Sequence, residues 1–374
     1  MFFVIPHIAL AAAGVAALVI CLGIVWTTHL HGAHTLDSDT GVQKVHHEPT
    51  PRIGGVAILI GCWIGWFFAP PEIATMLGPI LLAALPAFLA GVAEDIVKRG
   101  RVTERLLATC ASGVLAWWLT GDSLTRVGIG GVDWLLTITP VSVLFTAFAV
   151  GGVANAINII DGFNGLAAST VLVCLAGLGF LAYLNGDAEM AKICFIFGGA
   201  TFGFLLVNYP SGKIFLGDGG AYLLGFLLGW IAVMVAVRNP GMSPWAPLLA
   251  CGYPILEVLF SMARRTARTL KLGHPDRLHL HSLVWSRVSR KWLLGSSGLW
   301  QNSSVTPMML VYALIPVGLS IWCRKSTVEL MLAFVFCAML YAVLYARLIH
   351  FRWALPKVHL TSRTPKNRSD RSRL

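Results

Sequence analysis

Residues 137–166 read TITPVSVLFTAFAVGGVANAINIIDGFNGL. The first part, 137–154, contains no charged residue and is long enough, as a helix, to cross most of a hydrocarbon core, which takes about 20 apolar residues. Asn155, Asn158, Asp161 and Asn164 follow at three-residue spacing, with Gly162 and Gly165 among them. A span that runs straight into dense polar side chains predicts a membrane helix ending at a site. Polar groups at membrane depth are costly, and functional candidates by default.

The same apolar length recurs along the chain near 3–28, 53–70, 75–93, 104–120, 165–184, 190–207, 220–237, 245–262, 306–323 and 327–347. With 137–154 this predicts an all-α, polytopic integral membrane protein of about eleven transmembrane helices. Helices are required because backbone groups in lipid must be satisfied within the segment. Composition agrees: 56% of the 374 residues are hydrophobic, 12% are charged, and the mean hydropathy is +0.74. A soluble domain carries about 25% charged residues. The first span lacks a basic leading region and reads as a retained helix, not a cleaved signal.

An odd number of spans puts the termini on opposite sides, and the basic residues orient them. Lys44, Arg52, the 98–105 loop, Lys213, the 264–291 loop and the residues from Arg347 onward fall on one side. Only Arg126, Lys192, Arg238, Arg324 and Lys325 fall on the other. The N-terminus is therefore expected in the periplasm and the C-terminus in the cytoplasm. The net charge of +11 is mostly topological and gives no reason to expect a nucleic-acid partner. Residues 1–350 read as one catalytic membrane domain with cytoplasmic loops at 29–52, 94–103, 155–165, 208–219 and 263–305. Residues 351–374 read as a basic, disordered tail. The eight cysteines all lie in apolar runs without metal-site spacing, and read as small buried hydrophobes.

Polar density concentrates in five places, all in loops assigned to the cytoplasm. Glu94-Asp95 is followed by Lys98 and Arg99, carboxylates and bases suited to a divalent cation and to phosphate. Asn155, Asn158 and Asp161 share one side of a helix, and the carboxamides suit a nucleotide or a diphosphate. Gly217-Asp218-Gly219-Gly220 opens a span, where helix N-terminal N–H groups attract phosphate and Asp218 offers a hard ligand for Mg²⁺. The loop from Arg264-Arg265 through Arg277, His279 and His281 offers donors for phosphate or sugar. Last, Lys44 to Gly55 carries Arg52 between two prolines and a glycine pair. Each cluster has a plainer reading as a helix cap or interface anchor. Five of them on one rim do not.

These residues resemble the polyprenyl-phosphate N-acetylhexosamine-1-phosphate transferases. The superfamily includes the initiating enzymes of enterobacterial-antigen and teichoic-acid synthesis and the phospho-N-acetylmuramoyl-pentapeptide transferase. The likeness runs over about residues 37–285. It rests on Pro49 to Gly55, Glu94-Asp95, Asn155 to Leu166, Phe215 to Gly220 and His279-Leu280-His281.

The resemblance implies a bacterial inner-membrane enzyme with its site on the cytoplasmic face. It would move a sugar 1-phosphate from a UDP-activated acetamido sugar to undecaprenyl phosphate and release UMP, starting a cell-envelope or O-antigen polysaccharide. It implies catalytic roles for Glu94, Asp95, Asp161 and Asp218, with Mg²⁺ (or Mn²⁺) on Asp218 and Asp161. Substrate contacts are implied for Lys44, Arg52, Lys98, Asn155, Asn158, Asn164, Arg265, Arg277, His279 and His281, and a homodimer by analogy alone.

The chain departs from the family pattern at Glu94, where an Asp is usual, at Asn164, where many relatives have a second Asp, and at Gln43, where a base is common. The single His-Leu-His favours the UDP-acetylhexosamine branch over the muramoyl-pentapeptide branch, whose loop has three histidines. A lipid or sugar transporter would instead place polar residues at mid-bilayer, and a non-catalytic relative would lack the acidic set.

Overall fold

The computed structural model describes residues 7–37, 49–97, 102–267 and 278–350. Lys44, Lys98, Arg277 and the basic tail lie outside those residues.

The chain is mostly helical. It begins with α1 (His7–Trp26) and α2 (Thr28–Thr35), then pairs β1 (Leu36–Asp37) with β2 (Thr50–Pro51) in a two-residue antiparallel ladder. Next come α3 (Gly54–Phe67), α4 (Pro71–Ala83), α5 (Leu85–Val97), α6 (Val102–Thr120), α7 (Gly130–Leu136) and α8 (Thr139–Ile160). The middle of the fold is α9 (Leu166–Leu184), α10 (Ala188–Asn208) and α11 (Gly217–Arg238). After α12 (Trp245–Ala250) and α13 (Gly252–Ala267), α14 (Leu280–Val284) leads through a π-helical turn into α15 (Arg290–Trp292) and α16 (Gly298–Ser303). The described chain ends with α17 (Val305–Trp322) and α18 (Thr327–Ile349).

Within the described residues every apolar segment read from the sequence is largely helical, but not every one is a simple rod. Among the described residues, seven helices are long and apolar enough to cross a membrane. The α4–α5 pair makes an eighth if taken as one span, bent by 41°. Pro86, at the second position of α5, has no N–H to continue the ladder, which accounts for the break. The segment expected at 245–262 is likewise divided, into α12 and α13, with Pro254 just after the break. Large apolar side chains stand exposed along α1 (Ile8, Val15, Val19, Leu22) and α18 (Val328, Leu332, Val335). So much contiguous apolar surface is unfavourable in water and suits lipid.

The central helix is α11, almost wholly buried, with Tyr222, Phe226 and Trp230 in its core. Its N-terminal turn is approached closely by two other helices. A Cβ on Gly55 of α3 would collide with the backbone of Gly220, and one on Gly91 of α5 would lie 2.5 Å from the Asp218 carbonyl. Only glycine lets these backbones meet, so three helices converge where Asp218 emerges.

The far end of α11 is sealed differently. Arg238 donates to Asp187 at 2.7 Å and to Glu189 at 3.0 Å, and Arg126 donates to the carbonyls of Pro240 (2.6 Å) and Met242 (2.9 Å). Of the five bases that the sequence reading assigns to the opposite side, Arg126 and Arg238 thus sit at the end of α11 remote from Asp218.

Candidate active site

The strand-like segment after β2 runs beside the residues that lead into α11. Phe215 donates its N–H to Pro51 at 2.8 Å, Gly54 donates to Phe215 at 2.9 Å and Gly55 to Leu216 at 3.0 Å. Gly217, with φ of +75°, makes the turn; a Cβ there would strike the Arg52 carbonyl and approach Asp95 Oδ2 to 2.7 Å. This backbone pairing brings Arg52 to Asp218.

Asp218 is the hub. Its Oδ1 accepts from Asn158 Nδ2 at 2.9 Å and lies 3.4 Å from Arg52 Nη2. Its Oδ2 lies 3.6 Å from Arg105 Nη1. Arg105, in the first turn of α6, also reaches Glu94 Oε1 at 3.5 Å. Asn158 is held in turn by the Tyr222 hydroxyl, which donates to its Oδ1 at 3.3 Å. The Asp218 side chain keeps 18% exposure, so it is open to a ligand while bracketed by two guanidinium groups.

Asp95 has a different position. Both its oxygens accept backbone N–H groups, Oδ1 from Asp218 and Oδ2 from Gly219, each at 3.0 Å, and Arg52 lies 3.4 Å away. It caps the first turn of α11 and meets the positive end of the helix, and its side chain is only 5% exposed.

At the end of α8 the three-residue series divides. Asn158 faces Asp218, whereas Asn155 donates to its own helix at Gly151 (2.8 Å) and to Thr109 of α6 (3.5 Å). Asp161, the residue after α8, is half-buried; its backbone N–H donates to the Asn158 carbonyl at 3.3 Å, and its carboxylate forms no hydrogen bond or ion pair among the described residues. Burial pushes its carboxyl up to about 7; Arg52 lowers it, and the negative charges of Asp218 and Asp95 raise it further.

Asn164 is structural in its contacts. It donates to the Pro210 carbonyl at 3.0 Å, and its backbone N–H and carbonyl are taken by Asn302 (2.8 Å) and Thr306 (2.6 Å). It ties the turn after α8 to α16 and α17 rather than facing Asp218. The substrate contact expected of Asn164 is not what these contacts show: they require an amide donor at this turn.

The two histidines meet an unforeseen partner. Glu257 of α13 is fully buried, and its Oε1 accepts from His279 Nδ1 at 3.0 Å and from the Leu280 N–H at 3.1 Å. His281 Nδ1 lies 3.7 Å from Oε2. Arg265 stands partly exposed in the last turn of α13. Lys44, Lys98 and Arg277 lie outside the described residues.

Arg105, Tyr222 and Glu257 were not singled out from the sequence. Glu257 carried a signal, since an acidic residue inside an apolar span is rarely idle. Tyr222 lies one helical turn beyond Asp218, a spacing that puts both on one face. Arg105 was hidden by its loop, where bases are expected for topology alone.

Among the described residues no three His, Cys, Asp or Glu side chains cluster as a ready metal site. The donor chemistry nevertheless fits a hard cation. Asp161 is a carboxylate without a partner, Asp218 stands beside it electrostatically, and Mg²⁺ commonly takes one or two carboxylates plus phosphate oxygens.

Residues 77–236 match the sequence model of glycosyl transferase family 4, and this stretch contains Glu94, Asp95, Asn158, Asp161 and Asp218. The chain is 29% identical over 267 residues to decaprenyl-phosphate N-acetylglucosaminephosphotransferase of Mycobacterium tuberculosis, covering 64% of the chain and 66%, just under two thirds, of that relative. It is 24% identical over 312 residues to a probable undecaprenyl-phosphate N-acetylglucosaminyl 1-phosphate transferase of Bacillus subtilis, covering 81% and 82%. A third relative, undecaprenyl-phosphate alpha-N-acetylglucosaminyl 1-phosphate transferase of Yersinia pestis, is 26% identical over 249 residues, covering 65% and 67%. The family-matched region ends at 236, so the Glu257–histidine cluster lies outside it.

Proposed function

We propose that this protein is a glycosyl transferase of family 4 and transfers an N-acetylhexosamine 1-phosphate, with N-acetylglucosamine the first candidate, from its UDP-activated form to a polyprenyl phosphate. The observation that carries the reading is the Asp218 hub: one carboxylate bracketed by Arg52, Arg105 and Asn158, beside the unpartnered Asp161. The names of the three relatives support the acceptor and the sugar.

In the reaction an oxygen of the lipid phosphate attacks the β-phosphorus of the donor, the bond to the bridging oxygen breaks, and UMP leaves with that oxygen. Two anions must meet, and like charges repel strongly where water is scarce. Arg52 and Arg105 supply fixed positive charge at the meeting point. Asp161 and Asp218 would hold Mg²⁺ or Mn²⁺, which when bound offsets phosphate charge and polarises the phosphoryl oxygens. Asn158, braced by Tyr222, keeps Asp218 Oδ1 in one orientation. Asp95, with both oxygens on backbone N–H groups, positions the α11 turn and does not reach substrate in this reading. Glu94, at the same helix end and paired with Arg105, would orient the lipid phosphate.

The reading includes eleven crossings of the bacterial inner membrane, with the N-terminus outside and the site and C-terminus in the cytoplasm. Two features support it: the basic residues divide by side, and the Arg238 and Arg126 locks stand at the end of α11 remote from Asp218. Cysteine-accessibility labelling at Gly186 and at Gly212 tests it, since the first must label from outside and the second only from within.

Transfer is tested with membranes holding the full chain, undecaprenyl phosphate and a panel of radiolabelled UDP-sugars. Label must move into the organic phase with Mg²⁺ and with an acetamido sugar. No lipid-linked label from any UDP-acetamido sugar refutes the proposal.

A further inference from the structure

Glu257 has no task in the transfer scheme, yet it is the most deeply buried acidic side chain near the site, with no exposed surface. A carboxylate so placed is strongly destabilising unless its partners are well matched. Those partners are the Nδ1 of His279 at 3.0 Å, the Leu280 N–H at 3.1 Å and the Nδ1 of His281 at 3.7 Å. Oε2 of Glu257 and Nδ1 of His281 are both buried without a hydrogen bond, and they face each other. The imidazole planes are parallel within 3°, with centroids 5.3 Å apart, and Phe163 packs its edge on His281 with centroids 5.7 Å apart. The Nε2 of His281 is the side-chain atom nearest to where Gly162 would carry a Cβ, 3.8 Å away. Gly162 directly follows Asp161.

We propose that Glu257 is a positioning residue: it holds a proton on the Nδ1 of both histidines and so turns both Nε2 atoms toward the Asp161–Gly162 turn, where they bind the diphosphate of the nucleotide sugar. A carboxylate on one ring nitrogen fixes the tautomer and raises the basicity of the other. An approaching diphosphate then draws a second proton from solvent onto Nε2, which becomes a donor. The His-Leu-His segment is thereby presented as two parallel donors rather than as two independent rotors. This inference rests on the transfer reading for its ligand, but the geometry it asserts is separate.

Two measurements test it on the full chain in lipid nanodiscs. Long-range ¹H–¹⁵N spectra of ¹⁵N-histidine-labelled protein, with His279→Gln and His281→Gln for assignment, read which ring nitrogen carries the proton. His279 must be protonated at Nδ1; a neutral ring with bare Nδ1 and protonated Nε2 overturns the proposal without any Glu257 variant. Steady-state kinetics of Glu257→Gln must show KM for UDP-N-acetylglucosamine raised about 10-fold or more, with KM for undecaprenyl phosphate unchanged. Glu257→Asp must recover part of the difference, and adding Glu257→Gln to His279→Gln must cost little more than His279→Gln alone. A folded Glu257→Gln protein with KM for the nucleotide sugar within twofold of wild type overturns the proposal, whereas a wild-type protein that transfers no sugar phosphate refutes the transfer reading instead.

Discussion

Asp95→Asn separates positioning from chemistry at this site. The Asp95 carboxylate accepts two backbone N–H groups at 3.0 Å and lies 3.4 Å from Arg52, with its side chain 5% exposed. An asparagine retains one oxygen acceptor, so one N–H of the α11 turn keeps its partner and the other faces an amide NH₂. Hydrogen bonds to a charged group contribute about 1.5–3 kcal/mol, and an orphaned buried donor costs about 1–3 kcal/mol. The change should therefore cost about 2–4 kcal/mol, divided between lower stability and a shifted turn at Asp218. A displacement of a reacting group by about 1 Å costs about 10²-fold in rate. Transfer from radiolabelled UDP-N-acetylglucosamine should fall by about 10² or more, together with a lower thermal midpoint, and the pH–rate profile should keep its shape. Unchanged activity, or a lost limb in the profile without a change in stability, would refute the assignment of Asp95 to positioning.

Three further outcomes follow from the same geometry. Arg105→Ala removes one of the two cations on Asp218 and should cut kcat by about 10²-fold, the usual scale for losing one preorganised charge contact; a loss below threefold in the transfer assay would place Arg105 outside the reaction. For Asp161, a folded-state pKa of about 7 lies above the ordinary carboxylate value, so the native fold favours the protonated form. That stabilisation is full below about pH 4 and is lost as pH rises through 7, so the thermal midpoint of metal-free protein should drop from pH 6 to pH 8. Asp161→Asn should flatten that drop and added Mg²⁺ should reverse it in the wild type, both readable by scanning fluorimetry. Gly91→Ala forces a Cβ to 2.5 Å from the Asp218 backbone and should destabilise by about 1–3 kcal/mol while depressing transfer, whereas Gly131→Ala, where a Cβ meets nothing, should do neither.

The site was partly legible because its chemistry is expensive in a membrane. Charged and amide groups stand out against an apolar background, so Glu94, Asp95, Asn158, Asp161 and Asp218 could be named before any fold was known. The same logic failed where topology supplies an innocent reason for a residue: Arg105 sits in a basic loop that the positive-inside bias already explains. Spacing over-read α8 as well. Three-residue periodicity put Asn155 on the face of Asn158 and Asp161, but residues three apart are rotated by about 60°, enough to turn Asn155 toward α6.

By itself the sequence determined a helical, multi-pass membrane protein, since apolar length and backbone satisfaction in lipid leave no other architecture for this composition. It also determined which loops gather polar groups, because charge bias orders them by side. Tertiary structure alone decided which members of each cluster point at one another. Asp95 became a brace because α5 and α11 meet across glycines, Asn164 became a tie because its turn lies under α16 and α17, and Glu257 came to hold His279, 22 positions further along the chain, because α13 packs its buried face against that segment. Such pairings depend on helix rotation and on contacts between residues more than a hundred positions apart, such as Asp95 with Asp218, and local pattern carries no information at that range.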